Sequence, residues 1–154
     1  MLMAMLLLLT NQNIQGKVVG VTDGDTITVL KDSQQYKVRL AEIDAPEKTQ
    51  PFGNQAKIVL SDKIFGKEVA VKVKEKDRYG RYVGYVEYEN KNINLEMVKE
   101  GYAWQYKHYS HDSKYAQAEM HAKTNNLGLW NFPIQTPPWE FRSASKNTSK
   151  KNKK

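Results

Sequence analysis

The chain has 154 residues and no cysteine, which excludes disulfides and thiolate metal sites, leaves the compartment open, and suits one domain with a real core. Its net charge of +7 invites a nucleic-acid partner, yet Lys146, Lys150, Lys151, Lys153 and Lys154 all fall in the last nine residues. Taking these five from the 24 basic side chains leaves 19 against 17 acidic ones, so basicity alone says little about the folded part.

In chain order, Met1 to Thr10 form an apolar run too short to span a bilayer as a helix. It has the composition of a secretory hydrophobic region, although no Lys or Arg precedes it and no Ala-x-Ala site follows. We therefore expect residues 1–14 to be a signal-like segment and the protein to be secreted or periplasmic. The mature form is expected to be a monomer without stable membrane association.

The stretch Gly16 to Thr22 has strand composition, and Asp23-Gly24 signals a tight turn. Ile27 to Leu30 and Tyr36 to Leu40 read as two further strands around a turn at Lys31-Asp32-Ser33-Gln34. That hairpin brings two acidic clusters to the same end. Asp25 starts one strand and Asp44 lies just past the end of the next, so antiparallel pairing places their carboxylates together. The stiff Ala45-Pro46 corner holds Glu47 close. The arrangement is that of a divalent-metal site with a spare carboxylate. An EF-hand loop is excluded, because Gly24 stands second and apolar Ile27 and Val29 occupy ligand positions.

Beyond Glu47, Ala56, Leu60 and Ile64 recur at helical spacing over Asn54 to Phe65, and Gly66 stops this helix. Lys67 to Lys74 and Tyr82 to Tyr88 alternate as strands joined by Asp77-Arg78-Tyr79-Gly80-Arg81. Asn94 is the expected N-cap of a short helix ending at Gly101, and Asp112 or Ser113 caps a third helix to about Asn125. The aromatic stretch from Tyr102 to Tyr109 should pack over the barrel, and Leu127 to Trp130 should fold back on the core. Pro133 to Arg142 reads as irregular, and the polar, lysine-rich residues 143–154 as a disordered tail. Five strands with a helix between the third and fourth predict an α+β protein: a five-stranded Greek-key β-barrel of the OB type with three helices, spanning 15–142.

Two arginines near the acids, Arg39 and Arg81, suit a bound anion, since guanidinium pairs bidentately with phosphate oxygens. Taken singly, Arg39 is more simply read as a salt bridge to one of those acids and Arg81 as a solvated loop residue. Tyr79 adds a flat ring beside Arg81. His108, His111 and His121 lack zinc-ligand spacing and read as surface or packing residues.

The set Asp23-Gly24-Asp25-Thr26, Arg39 through Glu47, Asp77-Arg78-Tyr79-Gly80-Arg81 and Leu127-Gly128-Leu129-Trp130, in that order and spacing, resembles the thermonuclease family, the staphylococcal-nuclease-like proteins. The likeness covers Gly16 to Trp130. It implies an OB-fold, calcium-dependent endonuclease that cuts DNA and RNA and leaves 3′-phosphate ends. Carried over by position, it implies Ca²⁺ ligands at Asp25, Asp44 and the carbonyl of Ala45, and a general base at Glu47. Phosphate arginines fall at Arg39 and Arg81, a water-mediated acid at Asp23, and substrate contacts at Tyr79 and Arg78. The family's best-known member has Thr where this chain has Ala45. Its terminal-phosphate and base contacts are matched only in part, by Arg78 and the Tyr106 to Tyr109 region. A non-catalytic OB-fold module that binds nucleic acid is the competing expectation, and the joint presence of Asp25, Asp44, Glu47, Arg39 and Arg81 favours the enzyme.

Overall fold

Alternation of buried and exposed residues sets the first strand, β1 (Asn13–Asp23), in which Ile14, Gly16 and Val18 face inward. The computed structural model describes residues 13–133 and 135–151, so the Met1 to Thr10 run lies outside the described residues. Because β1 begins at Asn13, the folded part reaches into the segment expected to be signal-like. Strands β2 (Thr26–Lys31) and β3 (Gln34–Leu40) continue the meander. Their turn residues Asp32 and Ser33 both have positive φ, 48° and 63°, the geometry that matches the twist of a two-residue hairpin.

After the two-residue strand β4 (Ile43–Asp44), helix α1 (Gly53–Ile64) buries Ala56, Leu60 and Ile64 and packs on β1. Strands β5 (Glu68–Lys76) and β6 (Tyr82–Tyr88) form the second hairpin. The sheet runs β3-β2-β1-β5-β6, and β3 then pairs with β6 in parallel, Val38 opposite Tyr82, Arg39 opposite Val83 and Leu40 opposite Gly84. This seam closes a five-stranded barrel with a helix between its third and fourth strands, the OB-type architecture expected from the sequence. Val18, Ile27, Val29, Val38, Leu40, Val71 and Val86 fill its interior.

The short β7 (Lys91–Asn92) leads into α2 (Ile93–Lys99), and here the expected cap is corrected by two residues. Asn92 accepts from Leu95 N–H and caps the helix, whereas Asn94 is fully buried. The Asn94 amide accepts from Val86 N–H and donates to the carbonyls of Ala41 and Gly84, each at 3.0 Å, tying α2 to the barrel wall. Strand β8 (Trp104–Gln105) pairs with β4, and Asp112 caps α3 (Ser113–Thr124). A 3₁₀ turn at Gly128–Asn131 folds Leu129 into the core and sets Trp130 edge-on to Trp104.

The largest departure lies beyond the barrel. Helix α4 (Pro138–Lys151) replaces the irregular end and the disordered tail expected from composition, and brings the helix count to four. Pro138 opens it at a position where no intrahelical N–H is required. The hydroxyls of Ser143, Ser145, Thr148 and Ser149 donate to carbonyls four residues earlier, the local back-bonding that Ser and Thr make inside a helix. Its first turn is anchored by Trp139, stacked on Tyr106 at 5.7 Å and 12°. Among the described residues, no helix is long and apolar enough to cross a membrane.

Candidate active site

The acidic end of the barrel starts from the β1–β2 turn. Asp23 pairs with Thr26, so Gly24 and Asp25 are the central turn residues. A Cβ on Gly24 would stand 2.7 Å from that of Ala56 and 2.8 Å from that of Ala45, closer than side chains approach. Glycine thus lets α1 and the Ala45 corner close on the turn, which buries Asp25. Its Oδ2 accepts from Ala45 N–H at 2.7 Å and its Oδ1 from the Thr26 hydroxyl at 3.0 Å.

From the end of β3, Arg39 fixes its Nη1 on the carbonyls of Leu40 and Ile43, at 2.7 and 2.9 Å. Its Nη2 is then 3.3 Å from Asp25 Oδ2 and 3.2 Å from Asp44 Oδ1, a single cationic nitrogen between two carboxylates. Asp44 is buried where β4 meets β8 at Trp104. Glu47 follows the corner, its N–H donating to Gln50 Oε1, and keeps its side chain about one-third exposed.

A residue to which the sequence pattern assigns no role completes the cluster. Arg142 of α4 donates from Nη1 to Asp44 Oδ1 at 3.1 Å and Glu47 Oε1 at 2.6 Å, and from Nη2 to Asp44 Oδ2 at 2.6 Å. Upstream, the Gln50 amide donates to the carbonyl of Thr136, tying the approach to α4 to the loop that carries Glu47. The signal available in the sequence is Pro138 followed by Trp139 and Arg142, which three-residue spacing puts on one helix face.

The β5–β6 turn gathers the remaining predicted residues separately. Asp77 Oδ1 accepts from the N–H groups of Tyr79 and Arg81, and its Oδ2 from Arg81 Nε at 2.8 Å. Tyr79 is 69% exposed, with the guanidinium groups of Arg78 and Arg81 at 4.9 and 5.5 Å from its ring centre. Among the described residues, no hydrogen bond or ion pair joins this turn to Asp25, Asp44 or Glu47. The β3–β6 seam sets Arg81 next to the position opposite Val38, one strand over from Arg39.

Crowding sorts the acids. Burial, reinforced by the charge of Asp25, pushes the Asp23 carboxyl up to about 7. Burial also works against ionised Asp25, but the Arg39 charge and hydrogen bonds from Asp23, Ala45 and Thr26 more than offset it and hold it below the usual range. Burial leaves Asp44 raised despite Arg142 and Arg39. Burial opposes the charge on Arg142 too, yet its bonds to Asp44 and Glu47 hold it protonated more firmly than an ordinary arginine.

Among the described residues, no three carboxylates or histidines stand in a metal-holding arrangement. The chemistry of the donor set nevertheless fits a hard divalent cation, since every candidate donor is oxygen. Asp25 and Asp44 already flank one positively charged nitrogen, and Asp44 and Glu47 flank another.

Residues 37–132 match the family described as staphylococcal nuclease homologue. The chain belongs to the staphylococcal nuclease family. It is 52% identical over 126 residues, 80% of this chain and 71% of the other, to a protein of Haemophilus influenzae described as an uncharacterized endonuclease. Over 148 residues, 89% and 85% of the two chains, it is 44% identical to the micrococcal nuclease of Shigella flexneri. Over 145 residues, 87% and 82%, it is 39% identical to protein ParB of Escherichia coli. The staphylococcal nuclease match takes in Arg39, Asp44, Ala45, Glu47, Arg78, Tyr79 and Arg81, and stops short of α4.

Proposed function

We propose that this member of the staphylococcal nuclease family is a calcium-dependent endonuclease that hydrolyses phosphodiester bonds of DNA and RNA and leaves 3′-phosphate ends. The observation that carries the reading is the convergence of Asp25, Asp44 and Glu47 around positively charged nitrogens, a set of oxygen donors organised for a cation. The names of its relatives, micrococcal nuclease among them, support the reaction class.

Asp25, Asp44 and the carbonyl of Ala45 would hold Ca²⁺, which when bound supplies a Lewis acid for a phosphate oxygen. Asp23, whose Oδ1 accepts from Asp25 N–H, would act on the ion through water. Glu47, the carboxylate of this group open to solvent, takes a proton from the attacking water. Arg39 and Arg81 donate to the phosphate oxygens on which negative charge accumulates, and such donors are typically worth about 2.7 to 4 kcal/mol each. Tyr79 and Arg78 offer a ring and a cation to the flanking nucleotides. Export to the periplasm or medium belongs to the same reading and rests on the Met1 to Thr10 composition, and a monomer suffices for it.

Supercoiled plasmid and a structured RNA, each incubated with Ca²⁺ or with EGTA, test the proposal. Both should be degraded only with Ca²⁺, and the fragments should prime a polymerase only after phosphatase treatment. Undiminished cleavage in EGTA would remove calcium from the mechanism, and extension without phosphatase would reverse the assigned end chemistry.

A further inference from the structure

One turn of α4 covers two parts of the same site. Arg142 engages both oxygens of Asp44 and one of Glu47, all within 3.1 Å. Trp139, three residues earlier, lies flat on Tyr106. The Arg142 guanidinium is also 5.9 Å from the Tyr106 ring centre, so ring, cation and acids form one stack. The Gln50 bond to the Thr136 carbonyl holds the approach to this helix beside Glu47.

These contacts and a bound metal make opposite demands on the same atoms. Arg39 already stands on Oδ1 of Asp44, and Arg142, bonded to both oxygens of that carboxylate, is a second cation in the place a metal would need. Glu47, with Oε1 given to Arg142, is likewise occupied where it would meet water. Trp139 covers a face of Tyr106 on which a base could stack.

We propose that α4 is a tethered competitor for the metal site, with Arg142 the counter-cation of Asp44 and Glu47 in the metal-free protein and Ca²⁺ displacing the helix on binding. The inference rests on the calcium reading above. Linkage makes the effect reciprocal, so whatever factor α4 takes from calcium affinity, calcium takes from α4 docking.

Calorimetric titration of Ca²⁺ into the full, EGTA-stripped chain tests it, together with hydrogen exchange over residues 138–150. Arg142→Gln removes the competing cation, and Trp139→Ala weakens docking without touching Asp44. Both should tighten Ca²⁺ within the usual coupling range of about 5- to 150-fold. In the parent, Ca²⁺ should raise exchange across α4, and in both variants that exchange should be high before calcium is added. If Asp44→Ala abolishes binding while Arg142→Gln and Trp139→Ala bind as the parent does, and α4 exchange ignores Ca²⁺, the competitor role falls and the calcium site stands. If neither the parent nor these two variants bind Ca²⁺, the calcium reading falls and takes the competitor with it.

Discussion

Side-chain exposure divides the labour among the acids. Glu47 keeps 34% of its side chain open, against 2% for Asp44 and 7% for Asp25, so it alone of the three meets bulk water. Glu47→Gln keeps the size and loses the base, and should lower kcat by about 10²-fold or more while Ca²⁺ affinity changes little, as single-turnover kinetics and calcium titration would show. Asp23 gives a pH signature. Its carboxyl titrates near 7 in the folded metal-free protein, against an ordinary 3.8. The unfolded chain releases that proton first, so the stabilisation is complete below 3.8 and is lost as pH rises through about 7. Asp23→Asn should therefore gain on the parent in Tm across that window and level off above it, read by thermal melts in EGTA; a constant gap would show that Asp23 is ionised throughout. The acids were legible in the sequence because they fall within one meander, where strand period fixes who meets whom. Arg142 was not, because its partner Asp44 is 98 positions away and no local rule links them.

Elements were legible where periodicity is strong and less so where a tertiary contact decides between neighbours. The barrel strands and α1 follow from alternation and helical spacing. Asn92 and Asn94 are both good caps by propensity, and the choice is made by the barrel wall, which needs the Asn94 amide more than the helix does. Asn94→Ala leaves Val86 N–H and the Ala41 carbonyl without that partner, and each buried group so stranded costs about 1–3 kcal/mol. Urea melts should show the loss, with Asn92→Ala costing about 1 kcal/mol as an ordinary cap. Helix α4 was missed because composition measures how poorly a segment forms a core of its own. Lys146, Lys150 and its serines do face solvent; Pro138, Trp139, Phe141 and Arg142 are the residues of its first turns that do not, and so few anchors hardly register in a compositional average.

At the scale of the molecule, five of the lysines behind the surplus of +7 fall in the last nine residues of the sequence. Lys146 and Lys150 are exposed on α4, the helix whose Arg142 meets the acidic end of the barrel. Replacing both with Gln in the Glu47→Gln background should weaken nucleic-acid binding mainly at low salt. The slope of log affinity against log salt should flatten by about 0.9 for each duplex phosphate that the lysines no longer neutralise, measured by fluorescence anisotropy. An unchanged slope would mean that the helix points its lysines away from the substrate.

The parallel seam between β3 and β6 also fixes when in its life the protein acquires its chemistry. Hairpin pairings within the first meander join near neighbours, whereas the seam must close a long loop, and local pairings form ahead of such closures. Asp23, Asp25 and Arg39 can therefore gather early, while Arg81 reaches its place only when Val38 meets Tyr82, and Asp44 only when β4 meets β8. In refolding from urea with Ca²⁺ present, amide protection in β1 to β3 should precede the return of cleavage, which should track protection of β6. Until that pairing forms, the chain carries Asp25 and Arg39 without Arg81 in place.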